Sequence, residues 1–333
     1  MVTVVIATPI EPELVERLRA VDEQLEVLWE PELLPPPRFP SDHAGDPSFE
    51  RTPDQEARFT ELVSRAEVLF GYPREDPAQI AWAVRTAPNL RFVQATFAGA
   101  GQQLAAAQLP REDLERIAWT SSAGVHATPL AEWSLFGILA LTKGLPRLLA
   151  DQAARHWDHY PVDEVRGTTV LVAGLGEIGR EVARLAEAFG MRVLSLTRTA
   201  GDLDELLPHA DSVVITLPLT DETHGLFDRR RLRAMRRGSI LVNVGRGAVV
   251  DEDALVEALR DGHLRGAALD VFAQEPLQPE SALWELDNVI LSPHTAALSR
   301  HENERIVELF ADNLRRYLDG HDLRSRIRVD LFY

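Results

Sequence analysis

Val170-Leu171-Val172-Ala173-Gly174-Leu175-Gly176-Glu177-Ile178-Gly179 is the stretch on which the fold turns. Four apolar residues read as a buried strand. The G-x-G-x-x-G turn follows at once, and a helix is expected over 180–189. Gly174 permits a tight turn. Gly176 lets the backbone approach a pyrophosphate, and Gly179 allows a helix to pack close to a strand. The helix N-terminus adds free N–H groups and the positive end of a dipole. Strand, turn and helix in this order predict a dinucleotide cradle.

Working outward, the same strand–helix rhythm runs from 168 to 293. Strands are expected at 170–173, 192–196, 212–217, 240–244, 267–271 and 289–291, as in a dinucleotide-binding doubly wound sheet. Upstream, strands are expected at 2–7, 26–29, 67–71 and 90–95, with a helix over 12–21 and a parallel sheet overall. Residues 31–53 carry seven prolines and read as a surface excursion or lid. An apolar helix over 127–145 crosses between domains. An amphipathic helix over 299–318, with Ile306, Leu309, Phe310, Leu314 and Leu318 on one face, returns to the first domain.

The 333 residues suit two domains. Apolar content of 45% without an 18-residue apolar run gives no membrane span. A net charge of −17 argues against nucleic acid as a partner and requires a local positive site for any anionic substrate. There is no cysteine, which removes disulfides, thiolate metal sites and a cysteine nucleophile. The N-terminus lacks a basic n-region, so no signal peptide and a cytoplasmic location are expected. Lys143 is the sole lysine, and no histidine cluster has metal-ligand spacing, so no metal site is expected.

Three polar residues follow the later strands. Arg246 lies between Gly245 and Gly247, where a sharp turn can aim a guanidinium at a carboxylate and grip it with two hydrogen bonds. His294, held by Pro293, is the natural proton donor to a carbonyl. Glu275, held by Pro276, can orient that imidazole. A cation, a carboxylate and an imidazole beside a dinucleotide suit hydride transfer to a small carboxylate substrate. After the strand 192–196 come Thr197 and Arg198, where an NAD site usually carries an acid for the ribose. A guanidinium there can pair a 2′-phosphate, so NADP is favoured and NAD stays open. Asp202 and Asp204 are near enough in sequence to oppose that preference.

With these residues in hand, the chain resembles the D-isomer-specific 2-hydroxyacid dehydrogenases over nearly its whole length. The matching blocks are Gly174–Gly179, Leu217-Pro218-Leu219-Thr220 with Thr223, Asn243-Val244-Gly245-Arg246-Gly247-Ala248-Val249-Val250-Asp251, Leu269-Asp270-Val271-Phe272 to Glu275-Pro276, and Pro293-His294-Thr295. The resemblance implies an α/β protein of two doubly wound parallel-sheet domains. A Rossmann dinucleotide-binding domain, 123–295, would be inserted into a flavodoxin-like substrate domain, 1–122 with 296–333. It implies interconversion of a 2-oxo acid and a D-2-hydroxy acid. Arg246 would bind the substrate carboxylate and carbonyl, and His294 would be the acid/base assisted by Glu275. The implied cofactor contacts are Gly174, Gly176, Glu177, Ile178, Gly179, Thr197, Arg198, Leu217, Pro218, Thr223, Val244, Gly245, Arg246, Asp270 and His294, with Asp270 near the nicotinamide. Ala98, Gly99 and Ala100 resemble the loop that binds the substrate carboxylate through backbone N–H groups. A homodimer through 127–145 is also implied. The family includes cofactor-sensing interaction proteins, and an NAD(P)(H) sensor without turnover remains the alternative.

Overall fold

The computed structural model describes residues 1–74 and 76–332. It forms two compact units, Met1–His126 with Leu298–Tyr333, and Ala127–Ala297.

The first unit holds a five-stranded sheet of β1 (Val2–Ile6), β2 (Leu25–Leu28), β3 (Val68–Phe70), β4 (Phe92–Gln94) and β5 (Ala118–Thr120). All neighbours are parallel and the order is β2-β1-β3-β4-β5. This is the flavodoxin-like order. Both faces are covered, which is why Val4, Val5 and Ile6 of β1 are apolar without alternation. Val5 enters one core with Phe59, Leu62, Val63 and Ile80. Val4 and Ile6 point the other way, into a core with Leu14, Val15 and Leu18 of the helix Pro12–Arg19. The helix Glu302–Leu318 closes that second core with Ile306, Phe310 and Leu314. Phe310 sits 4.7 Å from Phe70 and 5.7 Å from Phe92, centroid to centroid.

The excursion 31–53 is tied into this unit. Leu33 and Leu34 are buried. Thr8 Oγ1 donates to the His43 carbonyl at 3.1 Å, and Ser41 Oγ donates to the Ser299 carbonyl at 3.0 Å. His43 Nε2 lies 2.7 Å from Asn303 Oδ1. The seven prolines shape a segment whose polar groups are paired within the unit.

The second unit holds six parallel strands: β6 (Thr169–Ala173), β7 (Arg192–Leu196), β8 (Ser212–Ile215), β9 (Ile240–Asn243), β10 (Gly266–Leu269) and β11 (Val289–Leu291). The order is β11-β10-β9-β8-β6-β7. The Rossmann-type sheet therefore reverses once, and its switch point lies between β6 and β8, where open sheets of this kind bind ligands. Leu171 and Ala173 enter one core with Leu255 and Leu259. Val170 and Val172 enter the other with Leu135, Ile138, Val182 and Ala186.

Of the boundaries that differ from the pattern in the sequence, two have a clear local cause. The helix after the glycine turn begins at Glu177, not 180, because the turn is complete at Gly176, which caps it. The apolar helix expected over 127–145 ends at Thr142. Gly144 adopts a left-handed conformation at φ 70°, and a separate helix, Leu145–Ala154, starts behind it.

Gly179 is where helix and strand meet most closely. A Cβ there would lie 1.9 Å from the Gly174 carbonyl oxygen, a backbone atom that cannot yield. Gly179→Ala is expected to cost at least about 1–3 kcal/mol of stability, read as a lowered Tm. Gly176 has open space where its Cβ would stand. Gly176→Ala should leave the Tm nearly unchanged, and an equally large drop there would refute this account of the turn.

Candidate active site

The turn after β6 is built for close approach. Gly174 has a φ of 106°, and its carbonyl accepts from Thr216 Oγ1 at 2.6 Å. Helix Glu177–Ala188 then presents its unpaired first-turn N–H groups beside Gly176. The open space over Gly176 and the N–H groups around it fit a pyrophosphate.

β7 ends in a tight turn in which Thr197 N–H donates to the Ala200 carbonyl at 2.9 Å. Arg198 is exposed at its tip. The two nearby acids each have partners of their own. Asp202 caps the helix Leu203–Leu206 by accepting from the Asp204 N–H. Asp204 pairs with Arg230 at 3.0 Å and Arg231 at 3.1 Å, and the hydrogen bond from Arg230, then that from Arg231, hold its carboxyl below the usual range. After β8, Leu217 and Pro218 open a loop closed by Thr223, whose Oγ1 donates to the Pro218 carbonyl at 2.6 Å.

β9 delivers Arg246 through an asparagine turn. Asn243 Oδ1 accepts from Gly245 N–H at 3.0 Å, and Asn243 Nδ2 donates to the Arg246 carbonyl at 3.1 Å. Val244 N–H donates back to β8, at the Ile215 carbonyl, at 3.1 Å. A Cβ on Gly245 would lie 2.7 Å from the Leu217 carbonyl oxygen. The Arg246 guanidinium donates to the Gly245 carbonyl at 2.7 Å. Asp251, the nearest acid in sequence, is occupied as the cap of the helix Glu252–Arg260.

Past β10, Glu275 is held by the Phe272 N–H, which donates to Oε1 at 3.0 Å. Its Oε2 lies 2.8 Å from His294 Nδ1, so two residues 19 apart in sequence are joined. Both are partly exposed. His294 has a φ of 54°, a strained conformation for a non-glycine residue of the kind that gathers at functional sites. The pair lines a cavity of about 740 Å³ with Phe272, Leu277, Trp284 and Leu291.

Asp270 has a structural task that the sequence did not reveal. It is buried beneath the His294 loop, and one carboxylate oxygen accepts from the N–H groups of Thr295 and Ala296, both at 3.0 Å. Its carbonyl accepts from the His294 N–H at 3.0 Å. Burial pushes the Asp270 carboxyl above the usual carboxylate range, against hydrogen bonding that opposes the shift. Asn243 was likewise missed as the residue that shapes the Arg246 turn. The Asn-x-Gly spacing was the signal for it.

Ala98, Gly99 and Ala100 belong to the first unit and follow β4. Gly99 caps the helix Ala100–Ala106, so the loop is shorter than its sequence suggests. Among the described residues, no group of three or more His, Cys, Asp or Glu could hold a metal ion, and no helix is long and apolar enough to cross a membrane.

A family model described as "D-isomer specific 2-hydroxyacid dehydrogenase, NAD binding domain" matches residues 135–296. Glyoxylate reductase of Thermofilum pendens is 35% identical over 253 residues, covering 70% of this chain and 74% of that relative. Glyoxylate reductase of Aeropyrum pernix is 42% identical over 169 residues, 47% of this chain, and the match spans 50% of that relative. A D-isomer specific 2-hydroxyacid dehydrogenase of Xanthobacter autotrophicus, solved in complex with NADPH and MES, superposes with a TM-score of 0.76 at 27% identity, covering 99% of each chain. The chain belongs to the D-isomer specific 2-hydroxyacid dehydrogenase family.

The Asp270 carboxyl yields a pH test. Its folded pKa lies above its unfolded one, so ionisation costs stability in full above the folded value. That cost vanishes once the pH is below the ordinary carboxylate range. Wild type should therefore gain stability relative to Asp270→Asn as the pH is lowered, measured by parallel thermal unfolding. A difference that does not change with pH would refute the assignment.

Proposed function

We propose that this protein is an NAD(P)-dependent oxidoreductase that interconverts a small 2-oxo acid and the corresponding D-2-hydroxy acid. The observation that carries the reading is the Glu275–His294 pair, closed at 2.8 Å by two loops that leave adjacent strands. The turn Gly174–Gly179 would hold the pyrophosphate of a nicotinamide dinucleotide, which when bound and reduced would supply the hydride. The residues of this chain do the rest.

In this reading Arg246 grips the substrate carboxylate and polarises the carbonyl to be reduced. His294 donates the proton that the new hydroxyl needs, from Nε2, because Nδ1 faces Glu275. Glu275 fixes the ring's orientation, with Nδ1 toward the carboxylate and Nε2 toward the substrate. Asp270 keeps the His294 loop in place close to the nicotinamide. Glu177 and Ile178 line the pyrophosphate side of the cofactor, and Leu217, Pro218, Thr223, Val244 and Gly245 line its continuation along the strand ends. Ala98, Gly99 and Ala100 offer N–H groups to the substrate carboxylate. The unit bearing β6–β11 is the dinucleotide-binding domain, and the other is the substrate domain.

NADP is the favoured cofactor. Thr197 and Arg198 occupy the position where a carboxylate would reject a 2′-phosphate. The Xanthobacter relative, crystallised with NADPH, supports the same choice. A cytoplasmic homodimer is the proposed form. The helices Ala127–Thr142 and Leu145–Ala154 and the segment after them expose Phe136, Leu148, Leu149, Trp157 and Val162, large apolar side chains that a second copy would cover.

The test is oxidation of NADPH and, in parallel, NADH, against glyoxylate, hydroxypyruvate, pyruvate, phenylpyruvate and branched 2-oxo acids. Turnover of at least one is expected, faster with NADPH, and Arg198→Ala should narrow the NADPH/NADH ratio. His294→Ala should keep cofactor binding and lose about 100-fold or more in kcat. Cofactor binding without turnover on any acid would favour a sensing role. Light scattering should give a dimer mass, and Leu149→Glu with Trp157→Glu should shift it to the monomer.

A further inference from the structure

The loop that leaves β4 is held from behind by buried groups with no part in the chemistry above. Ser122 and Gln94 are both fully buried. Ser122 grips the loop twice. Its Oγ donates to the Ala95 carbonyl at 2.8 Å, and its N–H donates to the Phe97 carbonyl at 3.3 Å. Gln94 Nε2 donates to the Ala95 carbonyl at 3.0 Å and to the Ser121 carbonyl at 3.1 Å. Gln94 Oε1 accepts from Thr120 Oγ1 at 2.8 Å and from Asn313 Nδ2 at 3.1 Å. Asn313 Oδ1 in turn accepts from the Arg324 N–H at 2.7 Å. The Gln94 amide thus uses both donors and both acceptor positions, and only one orientation satisfies it.

A peptide is planar and trans, so its carbonyl and the next residue's N–H point in opposite directions. Drawing the Phe97 carbonyl toward Ser122 therefore turns the Ala98 N–H away from the protein. Fixing the Ala95 carbonyl likewise sets the plane of the Ala95–Thr96 peptide at the start of the loop. The buried carbonyls of Ala95 and Ser121 need donors here, and more than one arrangement of side chains could supply them. What the polar set adds is direction.

We propose that Ser122 and Gln94 are positioning residues that aim the N–H groups of the loop 96–100 at the substrate carboxylate, with Asn313 and the C-terminal segment bracing them from below. The proposal rests on the reading of Ala98, Gly99 and Ala100 as carboxylate ligands. It makes substrate affinity depend on residues that touch neither substrate nor cofactor.

The experiment compares Ser122→Ala with Ala100→Pro in the full chain. The second variant deletes one loop N–H at the start of a helix, where proline is well tolerated. The readouts are KM and kcat for glyoxylate, NADPH affinity by fluorescence, and Tm. Both variants should raise KM about fivefold to tenfold, the scale of one hydrogen bond, with kcat and NADPH affinity within about twofold of wild type. A rise in Ala100→Pro alone overturns the positioning role and leaves the carboxylate loop standing. No rise in either variant removes the loop reading and the proposal with it. A Ser122→Ala protein whose NADPH affinity falls in step with the rise in KM marks Ser122 as packing only, and overturns the proposal.

Discussion

The second unit depends on backbone touching backbone where side chains would normally intervene. Helix Glu177–Ala188 lies so close to β6 that Gly179 rests on the Gly174 carbonyl. The same device recurs along the strand ends. Gly245 rests against Leu217, and Gly247 against the backbone of Phe272, where a Cβ would lie 1.8 Å from a carbonyl carbon. Each glycine brings one strand-end loop onto the next. The result is a continuous edge from the glycine turn through Arg246 to Glu275 and His294, assembled without intervening side chains. Close packing of this kind tolerates no added methyl group.

On that edge two carboxylates are given opposite surroundings. Glu275 is partly open to water and faces an imidazole. Asp270 is sealed beneath the loop and spends its charge on two backbone N–H groups. A buried carboxylate held by N–H donors is a fixed strut, and a half-exposed one beside a histidine can share in proton movement. The division of labour comes from burial, since the two side chains differ by only one methylene.

Much of the architecture was legible in the chain. All six strands of the second unit were visible as short apolar runs, because a parallel sheet covered on both faces needs no polar alternation. The order of the blocks around Gly174, Arg246, Glu275 and His294 was equally plain. Less legible were features set by partners distant in sequence. The excursion 31–53 read as a surface excursion or lid because its prolines are local, but its anchors, Thr8, Ser299 and Asn303, lie far away in the chain. The break at Gly144 was hidden within a continuous apolar stretch. β5 and the residues bridging it, Thr120 and Arg326, carry no periodic signal of their own.

The sequence by itself determined the fold class, the glycine turn and the identity of the polar residues that end the strands, because these follow from local periodicity, steric allowance and chain order. Only the tertiary structure decided how those residues are used. It joined His294 to Glu275 across 19 residues, placed Asp270 under the loop, and drew Asp204 away to Arg230 and Arg231. It also set Gln94 against Asn313 across 219 residues. The physical reason is that a hydrogen bond or a desolvated charge depends on what surrounds a group in space, and residue type states only what that group can offer.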